Sequence, residues 1–242
     1  MPVEAEKGLR IIPVRGSTER TGHRFDPDRL QHVTVAANRL VAPDTLVLSF
    51  SRPWDFVPGQ SVALTLDHDV PPRFYSIASG AAEAQVDILY DIVQDGLLTP
   101  RLALLRPGDA LLCSAPFGAF RDGPGASWWI ATGTGVAPFL SMARSSATTD
   151  GKTLVHGSRS IAGLLERGFF SRALGERYIP CCSRETDPGV FSGRLIRWLE
   201  SRELPAVERY LLCGNSLMVV GVRDLLIGKG VPFDRVVAEI YF

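Results

Sequence analysis

The sequence predicts two domains, an antiparallel β-barrel followed by an α/β domain with a doubly wound, five-stranded parallel sheet. Residues 32–114 contain six short segments rich in Val, Leu, Ile and Thr without a long helix between them, which favours a small barrel. From residue 128 onwards, apolar strand patterns alternate with helical patterns, as in a parallel sheet with crossover helices. A Pro- and Gly-rich stretch at 116–125 separates the two patterns. We therefore expect a barrel domain at 32–124 and an α/β domain at 125–242.

The bulk composition is that of an ordinary globular protein. Lys plus Arg and Asp plus Glu each number 26 among 242 residues, so net charge argues neither for nor against nucleic acid or membrane. No run approaches the roughly 18 apolar residues of a membrane span, and the charged N-terminus lacks the apolar core of a secretory signal. The four cysteines match no metal-binding spacing. We expect a cytoplasmic protein with reduced, buried thiols, no metal, and neither nucleic acid nor membrane as a partner.

The barrel domain is preceded by an arm, residues 1–31, in which Pro, Gly and Arg are scattered without periodicity. We expect this arm to be irregular or partly disordered. Strands divided by Pro, Gly and Asp clusters are then predicted at 33–36, 45–50, 60–66, 73–78, 86–93 and 110–114. One helix is predicted among them, with Pro100 in its first turn and its end at Leu105.

The α/β domain is predicted from the alternation of its patterns. Strands are expected at 128–131, 153–156, 178–182, 210–213 and 236–240. The intervening helices are expected at 139–147, 164–174, 195–201 and 217–229. In such a sheet, ligands bind at the carboxyl ends of the strands, near the point where the strand order reverses.

The strand Arg73-Phe74-Tyr75-Ser76 carries a cation, aromatic rings and a hydroxyl at consecutive positions. A flavin nucleotide requires such groups, because its pyrophosphate pairs with a guanidinium and its ring system stacks on an aromatic face. A small hydroxyl provides a hydrogen bond near the reactive ring nitrogen and leaves room for a hydride donor. The alternative is an ordinary barrel strand.

A second phosphate site is predicted at Leu97-Leu98-Thr99, directly before Pro100. The backbone N–H groups at the start of a helix attract phosphate, and the Thr99 hydroxyl adds a donor. The alternative is that Thr99 acts as a plain N-cap. Both interpretations are compatible with one site.

The stretch Gly133-Thr134-Gly135 follows the first strand of the α/β domain and precedes a helix. Its glycines let a phosphate approach the backbone at the helix start. Three arginines follow later strands: Arg159 after Ser158, then Arg184 and Arg194. Arginines at matching strand ends are suited to a dianionic phosphate, the group that distinguishes NADP from NAD. For any one of them, a solvated loop arginine is the alternative.

The motifs occur in an order that resembles the ferredoxin–NADP reductase superfamily: RFYS, GLLT, PFGAF, GTGVAP, LLCGN and a terminal EIYF. DGLLTPRLALLRPGD, CSRET with a downstream GR, and LLCGNSLMV resemble more closely the bacterial ferredoxin (flavodoxin)–NADP reductases. The resemblance covers residues 32 to 242. It implies an FAD-binding barrel and an NADP-binding domain that together exchange electrons between NADPH and a ferredoxin or flavodoxin.

The resemblance also implies roles for individual residues. Implied FAD contacts are Arg73, Phe74, Tyr75, Ser76, Leu97, Leu98, Thr99, Tyr241 and Phe242. Implied NADP contacts are Gly133, Thr134, Gly135, Ser158, Arg159, Arg184, Arg194, Cys213 and Gly214. Implied catalytic residues, grouped around the flavin and the nicotinamide, are Ser76, Cys213, Glu239 and Tyr241. The structural alternatives are a strand hydroxyl for Ser76 and an exposed carboxylate for Glu239.

Phe242 departs from the plant-type pattern, which ends at the tyrosine that Tyr241 matches. It is an extra aromatic residue of the bacterial kind, and packing on the FAD adenine is one role for it; whether Tyr241 swings aside for nicotinamide stays open. No four-cysteine ferredoxin domain is attached, so we expect the iron–sulfur carrier to be a separate protein. We also expect the reductase to be a monomer.

Three other functions fit part of the pattern. A separate oxygenase reductase has the same chemistry and a different acceptor, and a flavin reductase releases its flavin as product. A non-enzymatic module that binds nucleotide as a sensor or scaffold would need the phosphate loops alone. The stacking and hydride-site residues Tyr75, Ser76, Cys213 and Tyr241 argue against that last alternative.

Overall fold

The computed structural model describes residues 11–13, 29–146 and 149–241, the first segment by its backbone alone. Phe242 and, within the N-terminal arm, residues 1–10 and 14–28 lie outside the described residues. Within the arm, Ile11–Pro13 form strand β1, which pairs in parallel with the last strand of the chain. The expectation of an irregular arm is therefore wrong for this segment.

The first domain is the predicted antiparallel barrel, with six strands among the described residues. They are β2 (Gln31–Ala42), β3 (Thr45–Ser51), β4 (Ser61–Thr65), β5 (Arg73–Ser76), β6 (Gln85–Asp91) and β7 (Ala110–Cys113). Their order in the sheet is β5-β4-β7-β2-β3-β6. An antiparallel bridge between Ile77 and Ile88 joins the two edges, so the sheet closes on itself.

Strand β6 contributes buried side chains to the cores of both domains. Val86, Ile88 and Tyr90 point into the barrel core, as the alternation of a strand requires. Leu89 points outward and belongs to the apolar core of the second domain. The outer face of β6 is therefore part of the surface on which the α/β domain packs.

The helix of the barrel domain, α1 (Thr99–Leu102), is shorter than the predicted segment that ended at Leu105. The side-chain amide of Asn38 donates to the carbonyl oxygens of Leu102 at 2.9 Å and Leu105 at 3.2 Å. These bonds satisfy the carbonyl groups at the helix end and stop its continuation.

The α/β domain has a sheet of seven parallel strands among the described residues, not the five that the sequence predicted. They are β1 together with β8 (Ser127–Thr132), β9 (Lys152–Ser158), β10 (Tyr178–Cys182), β11 (Phe191–Ser192), β12 (Arg209–Asn215) and β13 (Val236–Tyr241). Their order is β1-β13-β12-β8-β9-β10-β11. The five central strands match the prediction. The two edge strands have three and two residues, too few for a periodic pattern to reveal.

Helices cover both faces of this sheet, as the doubly wound prediction requires. They are α2 (Ala137–Ser145), α3 (Arg167–Leu174), α4 (Leu195–Glu200) and α5 (Ser216–Gly228). Phe139 of α2 and Phe170 of α3 pack in one core with Trp129, whereas Leu199 of α4 and Val219 of α5 pack in another core on the opposite face. The strand order reverses between β8 and β12, so a ligand crevice is expected at their carboxyl ends.

Candidate active site

The candidate site begins at β5, an edge strand of the barrel sheet. Because successive side chains on a strand point to opposite faces, Arg73 and Tyr75 share one face, and Phe74 and Ser76 share the other. Arg73 is exposed and Tyr75 is half-buried. A ligand that contacts both Tyr75 and Ser76 must therefore lie along the edge of β5.

The two rings of β5 are fixed by neighbouring aromatic residues. Tyr75 meets Tyr90 edge to face, with ring centroids 6.4 Å apart, and burial raises the pKa of the Tyr75 phenol. Phe74 meets Phe117 in the same way at 5.1 Å. Aromatic rings prefer this edge-to-face arrangement, so each contact holds its ring in place. Tyr75 is thus a positioned, uncharged aromatic surface.

The Ser76 hydroxyl connects the barrel to the last strand of the α/β domain. Ser76 accepts a hydrogen bond from the Tyr241 hydroxyl at 2.7 Å and donates one to Glu239 Oε1 at 3.0 Å. The Ser61 hydroxyl donates to the same carboxylate oxygen at 3.1 Å. Ser61 and Ser76 are cross-strand partners on β4 and β5, so both hydroxyls reach Glu239 together.

Glu239 is buried, with only 3% of its surface exposed, so the alternative of an exposed carboxylate is wrong. Burial raises its pKa to about 7, although the hydrogen bonds from Ser76 and Ser61 favour the ionised form and oppose the shift. A carboxyl with a pKa near 7 gains and loses a proton at physiological pH. It has the property required of a proton donor and acceptor in catalysis.

Cys213 lies opposite Glu239 in the parallel pairing of β12 with β13. It is fully buried, and burial together with the nearby Glu239 raises the pKa of its thiol well above the usual value. The Tyr241 phenol is shifted upward in the same way by burial and by these two neighbours. Cys213 and Tyr241 are therefore neutral, and Glu239 is the group of this cluster that titrates near neutral pH.

The Thr99 segment differs from the sequence-based expectation. Leu98 occupies the N-cap position of α1 without a side-chain cap, so the interpretation of Thr99 as a plain N-cap is wrong. The Thr99 hydroxyl instead accepts a hydrogen bond from the Val93 N–H at 2.9 Å, which closes the turn before the helix. Thr99 is buried, and this bond uses the oxygen of its hydroxyl and not the hydrogen. Leu97 is 69% exposed beside it.

The glycine turn lies at the strand-order reversal, where ligands bind in this architecture. Gly133–Val136 form a 3-10 turn between β8 and α2, and Gly133 has φ +55°. A Cβ at Gly135 would lie 2.4 Å from the Cys213 carbonyl oxygen, and one at Gly214 would lie 2.5 Å from Thr132 Oγ1. Glycines are therefore required for the ends of β8 and β12 to approach each other. A Cβ at Gly133 would meet nothing within 4 Å, so that side of the turn is open.

The three predicted arginines follow three neighbouring strands, β9, β10 and β11. The Arg184 N–H donates to the Arg159 carbonyl oxygen at 3.1 Å, so these two residues are adjacent at the sheet edge. Ser192 of β11 pairs with Cys182, and Arg194 follows two residues later. All three side chains are exposed, and Ser158 is half-buried before Arg159. The short strand β11, which the sequence did not reveal, brings Arg194 to the same edge as the other two.

Two residues near the site were not identified from the sequence. Ser61 reaches Glu239 only because of its pairing register with Ser76. Asp91, at the end of β6, accepts hydrogen bonds from Thr45 at 2.6 Å and from Thr134 at 3.3 Å. Neither residue lies in a recognisable motif. The predicted role of Phe242 falls outside the described residues.

All four cysteines are free and buried, as expected from their positions in strands. In the part of the chain that the structure describes, no group of three or more His, Cys, Asp or Glu residues is arranged to hold a metal ion. Among the same residues, no helix has the length and apolar character needed to cross a membrane.

Comparisons with known proteins find related reductases, although no family model matches the chain. The flavodoxin/ferredoxin–NADP reductase of Escherichia coli strain K12 is 31% identical over 188 residues, which covers 68% of this chain and 76% of that protein. The crystal structure of a cytochrome P450 reductase from Amycolatopsis is similar with a TM-score of 0.78 at 26% identity, covering 91% of this chain and 71% of that one. A ferredoxin NADP+ reductase from Neisseria gonorrhoeae, solved with bound FAD and NADP, is similar in fold with a TM-score of 0.76 at 23% identity. The match covers 88% of this chain and 99% of that one.

An antiparallel barrel, a doubly wound domain and a hydrogen-bonded junction between them define a two-domain oxidoreductase of the flavin- and nicotinamide-dependent class. The extent and identity of the match to the Escherichia coli protein then fix the family. The chain belongs to the flavodoxin/ferredoxin–NADP reductase family.

Proposed function

We propose that this protein is an FAD-dependent enzyme that transfers electrons between NADPH and a one-electron carrier, either a ferredoxin or a flavodoxin. The observation that carries the proposal is the hydrogen-bond chain from Tyr241 through Ser76 to Glu239. It joins the edge strand of the barrel to the last strand of the α/β domain. Two reacting groups, one held by each domain, would meet at this junction, as a reaction between bound partners requires.

The residues of the barrel fit FAD. Arg73 and Tyr75 share a face of β5, which supplies a guanidinium for a phosphate and an aromatic surface for a flat ring system. Thr99 keeps a hydroxyl hydrogen to donate, beside the backbone of Leu97 and Leu98. The remaining FAD contacts that we assign are Phe74, Ser76, Tyr241 and Phe242. When bound, FAD supplies the exchange between two-electron and one-electron chemistry.

The residues of the α/β domain fit NADP(H). The open side of Gly133, with Thr134 and Gly135, would receive the pyrophosphate at the start of α2. The strand-end arginines, with Ser158 beside the first of them, would receive the 2′-phosphate: Arg159, Arg184 and Arg194. Cys213 and Gly214, at the end of β12, lie between this turn and Glu239 and are assigned to the nicotinamide end.

Proton movement is assigned to Glu239 and Ser76. The carboxyl has a pKa of about 7 because it is buried, so both of its protonation states are populated at neutral pH. Ser76 already bonds to Glu239 on one side and to Tyr241 on the other, which makes it the relay between the carboxyl and a group bound at β5. Ser61 holds the carboxyl in place.

The proposal is tested by NADPH-driven reduction of ferredoxins and flavodoxins in steady state. The purified protein should be yellow and carry about one non-covalent FAD, since Arg73 and Thr99 would supply two phosphate anchors. Ser76→Ala should lower kcat by about tenfold to a hundredfold, because the relay is lost. Ser127→Ala is the matched control: Ser127 is also buried and donates to a carboxylate, Asp122, but at the opposite end of the sheet. A folded protein that neither retains nor binds FAD would contradict the proposal.

A second candidate function is the separate reductase of an oxygenase. It is favoured by the similarity to the cytochrome P450 reductase from Amycolatopsis. The site residues and the chemistry would be the same, and the acceptor would differ. Efficient NADPH-driven reduction of an oxygenase's carrier, with slow reduction of ferredoxins and flavodoxins from other systems, would favour this candidate. Loss of FAD during purification would instead favour a flavin reductase.

A further inference from the structure

The outer face of β6 carries an apolar centre with a carboxylate at each end. Asp87, Leu89 and Asp91 point to the same face because they alternate along the strand. Leu89 is buried in the core that it shares with α2. Each carboxylate is held by a hydroxyl of the neighbouring strand β3: Ser49 donates to Asp87 at 2.6 Å, and Thr45 donates to Asp91 at 2.6 Å. The barrel thus presents two fixed acceptors to the second domain.

Helix α2 and the glycine turn before it meet these two acceptors. Thr134, in the turn, donates to Asp91 at 3.3 Å. Arg144, in the last turn of α2, donates to Asp87 at 3.5 Å. The four residues from one aspartate to the other span about 13 Å of strand. The ten residues from Thr134 to Arg144 span about 15 Å of helix. The lengths match, so α2 lies along β6 and is attached near both of its ends.

The attachment at Arg144 has several components. The guanidinium lies within 4 Å of three carboxylates, at 3.5 Å from Asp87, 3.9 Å from Glu83 and 3.7 Å from Glu166. It also lies 5.7 Å from the centre of the Phe169 ring. The side chain is 21% exposed, so these interactions are only partly screened by water. A planar, multiply bonded cation of this kind holds its neighbours in one geometry.

The C-terminal end of α2 also contacts the segment that follows β5. The Ala81 N–H donates to Ser145 Oγ at 2.8 Å. A Cβ at Gly80 would lie 3.1 Å from Arg144 Cβ, so the backbones approach closely there. Only a few residues separate Gly80 from Ser76. One end of α2 is therefore docked on the segment that follows β5, and the glycine turn precedes its other end.

We infer that Arg144 is a positioning residue: its contacts with Asp87 and Glu83 hold α2, and with it the turn at Gly133–Val136, in a fixed position relative to β5. This inference rests on the proposed function, in which the turn receives the NADP pyrophosphate and β5 receives the flavin. Arg144 itself touches neither group. Its loss leaves the strand-end arginines of β9 to β11 intact and misplaces the turn.

The test compares NADP+ with adenosine 2′-phosphate, which has the distinguishing phosphate and lacks the pyrophosphate and nicotinamide. Calorimetric titrations with NADP+ and with adenosine 2′-phosphate are carried out on four FAD-loaded proteins: wild type, Arg144→Met, Arg144→Lys and Arg177→Met. The change in flavin absorbance at saturating NADP+ is recorded for each protein. Arg177 is the matched control, because it pairs with Asp150 inside the α/β domain at 3.5 Å. Arg144→Met should bind NADP+ about tenfold more weakly, with a smaller absorbance change, and adenosine 2′-phosphate unchanged. Arg144→Lys should recover part of the loss, and Arg177→Met should behave as wild type.

Four results would overturn the inference. The first is an Arg144→Met protein with the wild-type NADP+ affinity and absorbance change. The second is an equal loss of affinity for NADP+ and adenosine 2′-phosphate, which indicates a general loosening of the domain. If Arg144→Met does not fold, Asp87→Asn decides: it should reproduce the selective loss in weaker form, and a wild-type response would be the third contrary result. A wild-type protein without any NADP+ response would overturn the proposed function together with this inference.

Discussion

Replacing Glu239 with glutamine should change the dependence of stability on pH in a direction that the structure fixes. Burial raises the carboxyl pKa from 4.5 to about 7. One pKa unit corresponds to about 1.36 kcal/mol, so ionised Glu239 costs the folded state about 3 kcal/mol. Between pH 4.5 and 7 the folded protein holds a proton that the unfolded chain has lost. Wild-type stability should therefore fall as pH rises through this window, by an amount that Glu239→Gln lacks.

The assay is urea unfolding of both proteins at pH 4.5 to 8, followed by tryptophan fluorescence in the same excess of FAD. The free energy of unfolding of Glu239→Gln minus that of wild type should increase by about 3 kcal/mol across the range and level off above pH 7. A constant cost of burying the amide would shift this curve without changing its slope. Glu176→Gln, at an exposed position, controls for the removal of one surface carboxylate. Parallel curves for wild type and Glu239→Gln would refute the reasoning.

Three further outcomes are expected. Arg184→Ala should lower kcat/KM for NADPH about fivefold to tenfold and leave kcat/KM for NADH nearly unchanged. The reason is that an exposed arginine makes a partly screened contact with a phosphate that NADH lacks. A parallel loss of kcat/KM with both coenzymes would show that the arginine has a structural role. Asp91→Asn should bind NADP+ about twofold to fivefold more tightly at low salt and equally at high salt, since it removes a carboxylate that repels phosphate while its amide oxygen can still accept the bond from Thr134. Calorimetry at two ionic strengths measures this, and weaker binding at low salt would contradict it. Turnover with a ferredoxin or flavodoxin should fall as salt rises while NADPH reduction of a small neutral acceptor falls less, and equal sensitivity would exclude charge-guided docking.

The central strands of both domains were predictable because each has enough residues for its pattern to be recognised and is bounded by Pro, Gly or Asp. The edge strands were not, and β11 illustrates the consequence. Its two residues have no periodicity, and the strand forms because Phe191 and Ser192 pair with the already established β10. The sequence predicts Arg194 as a phosphate ligand but does not reveal the strand that brings it to the same sheet edge as Arg184. The kind of side chain was predictable, and the reason for its position was not.

The features of the site also fall into two groups, those that a local motif specifies and those that long-range pairing specifies. RFYS and the terminal EIYF indicate a functional serine and a functional glutamate, with a strand hydroxyl and an exposed carboxylate as the structural alternatives. The Ser76–Glu239 bond joins positions 163 residues apart, and the Ser61–Glu239 bond joins positions 178 residues apart. These contacts exist only after the barrel and the parallel sheet have each paired in register and packed together. They remove Glu239 from water and so set its pKa, whereas the motif EIYF alone does not show that its glutamate is buried. The protonation chemistry of this reductase is therefore a property of the packed domain junction, and Arg144, which helps to hold that junction, lies in no motif that names the site.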